Sequence, residues 1–124
     1  MSTLRDKAIA SWEIAEELRD DEAKINWVAN RYYYALFQAA WWRNEQSPMP
    51  LAQRGDEGTH QFAKRIVDTL SHEIKQKRIF STFKGLRITA DYKPIDVKTF
   101  QLKAYDIGTA FDLLTELIGS GDKT

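Results

Sequence analysis

Apolar residues recur at helical spacing along most of this chain. Leu4, Ala8, Trp12, Ala15 and Leu18 share one face of a first helix, while Asp6, Glu13, Glu16 and Glu17 lie mostly elsewhere. Ser2 and Thr3 are candidate caps for it. The run Arg19-Asp20-Asp21-Glu22 breaks the pattern, predicting a short connection with an acidic start for the next helix. That second helix is predicted from Glu22 to Arg43. Residues 46–58 hold two of the three prolines and two glycines, which predicts a surface loop. Thr59 then caps a third helix with Ala63, Ile66, Val67, Leu70 and Ile74 inward and Lys64, Arg65, Asp68, His72 and Lys75 outward. Residues 76–95 lack a clean period and predict at most a short helix within 78–92. Asp96 caps a last helix burying Phe100, Ala104, Ile107, Phe111, Leu114 and Ile118, and residues 119–124 read as a flexible tail. No strand-like alternation of useful length and no internal repeat competes. The expectation is a single all-α domain over residues 1–124, an up-and-down bundle of four long helices with room for a short fifth.

Composition narrows the function classes. The 124 residues suit one domain with one sizeable core. Lys plus Arg and Asp plus Glu number 18 each, so no large net field recruits nucleic acid or a membrane, and electrostatic function must be local. The chain has no Cys, which excludes disulfides, thiolate metal sites and a cysteine nucleophile. The longest run without a charge or turn residue, Tyr32 to Trp42, would reach only about 16 Å of a bilayer core of roughly 30 Å. The N-terminus lacks the apolar stretch of a signal peptide, so the expected location is cytoplasmic.

The second helix carries the candidate chemistry. Trp27, Tyr32, Tyr33, Tyr34, Phe37, Trp41 and Trp42 surround its circumference, as in a helix buried on more than one side. At about 100° per residue, Arg31 and Gln38 fall nearly on one line with Tyr34 between them, a polar stripe on an aromatic rod. A guanidinium in such surroundings needs an anionic or carbonyl partner. That partner is either a carboxylate of another helix or a phosphate, which the planar Arg fork matches and beside which Tyr rings can stack on bases. The aromatics themselves read as core, dimer interface or base platform. A single bundle covers about half of such a circumference, which predicts a homodimer through the second helix.

At Asn30-Arg31-Tyr-Tyr-Tyr34-Ala-Leu-Phe-Gln38-Ala-Ala the chain resembles the HEPN superfamily, whose small single-domain members carry a motif of the form Arg-x-Tyr-Tyr-Ala-x-Phe-His-Ala. Gly58-Thr-His60-Gln-Phe resembles the start of that family's third helix, Leu86-Arg87-Ile-Thr-Ala-Asp91-Tyr92 its Arg-x-x-Ala-Asp-Tyr element, and Ala104 to Phe111 its closing helix. The resemblance implies a dimeric helical bundle in which two copies of the motif meet in one cleft. In active relatives Arg holds the scissile phosphate and His moves the proton as the 2'-hydroxyl attacks, without metal. The candidate catalytic residues are then Arg31, Asn30, Tyr34 and a degenerate Gln38, and the candidate binding residues Arg87, Asp91 and Tyr92, of which Asp91 and Tyr92 also read as structural, Asp91 capping or pairing with an Arg and the Tyr92 ring closing the bundle. Where the family has His this chain has Gln38, which hydrogen-bonds but exchanges no proton near neutral pH. The implied function is a toxin-antitoxin-like, RNA-directed protein, a degenerate or weakened ribonuclease. The alternative is a non-catalytic module that binds a nucleotide or one of the minimal nucleotidyltransferases accompanying this family.

Other features are less pointed. Residues 59–103 carry ten basic against four acidic residues. Lys64 and Arg65 join Lys75, Lys77, Arg78, Lys84 and Arg87 in a candidate basic patch, either for RNA or an acidic protein or as an ordinary solvated face. Asp91-Tyr92, just before Pro94, reads as a bend. His60 and His72 lack metal-ligand spacing, so no metal and no cofactor are expected.

Overall fold

The computed structural model describes residues 3–20, 25–71, 73–92 and 104–119, with side chains from 27 in the second segment, to 85 in the third and from 106 in the last. It is an all-α bundle: α1 (Leu4–Leu18), α2 (Ile25–Glu45), α3 (Thr59–Leu70), α4 (Ile74–Tyr92) and α5 (Ala104–Gly119). A reciprocal cap starts α1, where Thr3 Oγ1 accepts from the Asp6 amide at 3.1 Å and Asp6 Oδ2 from the Thr3 amide at 3.3 Å.

Helix α2 is the axis of the domain and packs against all four other helices. Val28, Ala29, Tyr32, Tyr33, Ala35, Leu36, Ala39 and Ala40 are all buried, mixing alanines that admit close helices with rings that fill the wider gaps. Tyr32 meets Trp12 of α1 edge-on at 4.8 Å and Phe83 of α4 at 5.6 Å. The chain's own helices therefore cover α2. Of the seven aromatics of this helix, Trp27 is exposed, Tyr34, Phe37, Trp41 and Trp42 are half-buried, and Tyr32 and Tyr33 are buried.

Several sequence expectations are corrected. The third helix stops at Leu70 rather than including Ile74. Ser71 turns extended, its amide bonds to the Val67 carbonyl at 2.9 Å, and its hydroxyl donates to Gln76 at 2.8 Å, so a buried polar pair seeds the next helix. Ile74 falls in the first turn of α4 and is exposed. The stretch without a clean period is itself a 19-residue helix, α4, burying Gln76, Ile79, Phe80 and Phe83 at helical spacing. Interleaved Lys and Arg and the polar start at Gln76 hid that period. Asp91 and Tyr92 accordingly end a helix and do not form a bend. In α5 the buried face is Ile107, Ala110, Leu113, Leu114 and Leu117, whereas Phe111 is half exposed. Apolar residues surround α5, so two stripes competed, and packing selects the one through Leu113 and Leu117. Asp96, Phe100, His72 and residues 120–124 lie outside the described residues. Gly58, not Thr59, occupies the cap of α3, with its amide bonded to Gln61 Oε1 at 3.1 Å.

The predicted loop 46–58 is tied down at both ends. Asn44 accepts from the Leu51 amide at 2.8 Å and donates to its carbonyl at 3.0 Å. Arg65 holds Glu57 through two bonds of 2.9 Å and donates to the Ala52 carbonyl at 2.7 Å. Hydrogen bonding to Arg65 holds the Glu57 carboxyl down to about 2.

Candidate functional site

Arg31 occupies the first half of α2 and is half-buried. One terminal nitrogen donates to Asn30 Oδ1 at 2.8 Å, and the guanidinium carbon stands 5.8 Å from the Tyr34 ring centre. Among the described residues its buried Nε has no hydrogen-bond partner, and no ion pair includes Arg31. The carboxylate weighed from the sequence is thus not found among the described residues. A charged donor left buried and unmatched is costly, and the Tyr32 hydroxyl and the Trp41 indole nitrogen are likewise buried without a partner among the described residues.

Beyond Tyr34 lies an aromatic wall. Tyr34 packs against Tyr33 and Phe37, at 5.6 and 5.7 Å, and the His60 imidazole, from the first turn of α3, stands 6.2 Å from it. His60 stacks on Phe37 at 4.9 Å, and its Nδ1 lies 2.7 Å from the Tyr33 hydroxyl. The wall continues through Trp41 to Phe62. His60 was legible only as part of the third helix's start; pairwise ring contacts across two helices bring it to the Arg31 side. A histidine two residues after a glycine cap was the one local signal, and it fixes position but not orientation.

Gln38 turns away from this wall. Oriented to satisfy its amide, its nitrogen is within donating distance of the Lys7 carbonyl (3.0 Å), Ser11 Oγ (3.0 Å) and the Tyr34 carbonyl (3.2 Å). It fastens α1 to α2. The helical line joining Arg31 and Gln38 is real, but their side chains serve different neighbours. Lys64 and Arg65 are likewise engaged: Lys64 bonds Asp68 at 2.6 Å and the Lys77 carbonyl at 3.2 Å, and Arg65 holds Glu57 while lying 5.1 Å from the Phe62 ring. These two side chains join α3 to its surroundings, whereas Lys75 and Arg78 on α4 are exposed. The side chains of Arg87, Asp91 and Tyr92 lie outside the described residues.

Two further features bear on function. A largely apolar cavity of about 320 Å³ lies between α1 and α5, lined by Ile9, Trp12, Phe111, Leu114 and Ile118 with Arg5 and Glu13 at its margin. Arg31 does not border it. Among the described residues no group of three or more His, Asp or Glu could hold a metal ion, and no helix is long and apolar enough to cross a membrane. In comparisons with known proteins the chain matches no family model, no curated protein and no solved structure.

Proposed function

We propose that this chain is an RNA-directed, HEPN-like protein, toxin-antitoxin-like and cytoplasmic, that grips a phosphodiester at Arg31 and is a degenerate or weakened metal-independent ribonuclease. One observation carries the reading: the Arg31 guanidinium, aligned by Asn30 and Tyr34, keeps a buried Nε–H without an acceptor among the described residues. Phosphate offers oxygens that match this planar fork. Cleavage at such a site requires a group that takes the 2'-hydroxyl proton and a group that protonates the leaving oxygen. Gln38 supplies neither, by its chemistry and by its engagement with α1. His60, across Tyr34 from Arg31, is the described imidazole on this side of the bundle. Losing positioned acid-base catalysis lowers rates by about 10²–10⁴, hence a weakened enzyme.

The test is incubation of purified protein with structured RNA in a metal chelator, comparing the unmodified chain with Arg31→Ala. Slow cleavage or Arg31-dependent binding is expected; absence of both removes the reading. The engagement of Gln38 also favours a second reading, a non-catalytic module for a nucleotide or a minimal nucleotidyltransferase partner. Arg31-dependent binding with no cleavage at any enzyme concentration, together with a co-purifying nucleotidyltransferase, selects that alternative.

A further inference from the structure

Trp27 is the exposed tryptophan of this domain, with 62% of its surface open, whereas Trp12 is buried and Trp41 and Trp42 are half-buried. It precedes Arg31 by four residues in α2. Residues so spaced lie about 6 Å apart along the axis and about 40° apart around it, so the two side chains leave neighbouring points of one face. Arg31 is turned toward Asn30 and Tyr34 and leaves its Nε–H unmatched. An indole face and an unmatched cation one helical turn apart complement the two halves of a nucleotide, an apolar aromatic base and a phosphate.

We propose that Trp27 and Arg31 bind one unit of single-stranded RNA, the base stacked on the indole and its phosphate on the guanidinium. This rests on the reading of Arg31 as a phosphate anchor and adds the substrate class and a second binding residue. Single strands are favoured over duplex for two reasons. A base reaches an indole face only when it is unstacked and splayed out. Duplex binding relies on many backbone contacts, and the chain has no net charge while Lys64 and Arg65 are engaged within the fold. Stacking reads the ring face and not the base edge, so the site discriminates weakly among the four bases.

The experiment is anisotropy titration of a labelled single-stranded oligoribonucleotide at low salt, against the unmodified chain, Trp27→Ala, Trp27→Phe and Arg31→Ala, with AMP as a separate ligand. Trp27→Ala is expected to weaken oligomer binding about tenfold or more, Trp27→Phe to recover part of it, and tryptophan emission to be quenched on binding except in Trp27→Ala. Because Trp27 is exposed, its variants keep the melting temperature of the parent. Oligomer binding that depends on Arg31 but is the same in Trp27→Ala overturns the proposal and leaves the phosphate reading standing. No binding by the unmodified chain removes both. AMP binding as tightly as the oligomer overturns the RNA assignment. A dimer in sedimentation that Trp27→Ala converts to monomer, with RNA affinity unchanged, shows the indole to be a protein contact and also overturns it.

Discussion

Replacing Arg31 by Met separates a ligand-seeking arginine from a structural one. The substitution loses the bond to Asn30, a neighbour contact of 2.8 Å worth about 0.5–1.5 kcal/mol net, and a cation–π contact at 5.8 Å worth about 0.5–1 kcal/mol. It removes a buried Nε–H without an acceptor, whose desolvation costs about 1–3 kcal/mol, and an unbranched Met preserves most of the stem's packing. Losses of about 1–2.5 kcal/mol against a relief of about 1–3 kcal/mol nearly cancel, so the expected change is centred on a gain of a few tenths of a kcal/mol. That is a rise in Tm of about 1 °C for a domain of this size. Most buried substitutions move the other way. Thermal unfolding followed by circular dichroism reads the effect directly. Adding phosphate at tenfold its dissociation constant should stabilise the unmodified chain by about 1.4 kcal/mol and the Met variant not at all. A loss of more than about 2 kcal/mol in Arg31→Met without phosphate would show that the guanidinium has a structural acceptor, and equal phosphate gains in the two proteins would refute the anion site.

Three further outcomes follow from the geometry. Glu57, held down to about 2 by Arg65, stabilises the fold above the ordinary carboxylate range, and that contribution should fade as pH falls from about 4.5 toward 2; Glu57→Gln should remove the acid sensitivity and raise protease cleavage within residues 46–58, measured by mass spectrometry. Burial, reinforced by Glu16 nearby, pushes the Tyr32 phenol up to about 12, so stability present below pH 10 should be lost as pH rises toward 12, and Tyr32→Phe should flatten that alkaline limb in denaturant titrations. Gln38→His restores the residue type of the family motif but places it against Lys7 and Ser11, so RNA cleavage should not increase and stability should drop by about 1–2 kcal/mol; a gain of tenfold or more in cleavage would contradict the placement of that side chain.

Long amphipathic patterns were readable because burial enforces their period. The stripe Ala8, Trp12 and Ala15 is buried in α1, and Ala63, Ile66 and Val67 are buried in α3. Failures came where local pattern was ambiguous and tertiary packing decided. Ile74 continues the α3 stripe in sequence, yet the Ser71–Gln76 pair ends one helix and begins another. Phe111 and Leu113 are equally apolar, and only the approach of neighbouring helices chooses which enters the core. The same limit applied at the site. Arg31, Asn30 and Tyr34 are close in sequence on one helix, and their grouping could be anticipated. Helical phase placed Gln38 beside them, whereas the position of α1 draws its amide away. His60 comes from another helix and enters through ring contacts with Tyr33 and Phe37, a relation that no spacing along the chain encodes.

The buried Arg31 Nε–H has no acceptor among the described residues, and the phosphate oxygen proposed for it has a direct spectroscopic readout. The Nε–H nuclear magnetic resonance signal, assigned by its disappearance in Arg31→Lys, tests this most directly during titration with a dinucleotide and, separately, inorganic phosphate. A saturable downfield shift of that one arginine Nε–H and slowed exchange of its proton with water are expected. An Nε–H signal that stays fixed while the dinucleotide perturbs residues elsewhere would contradict it.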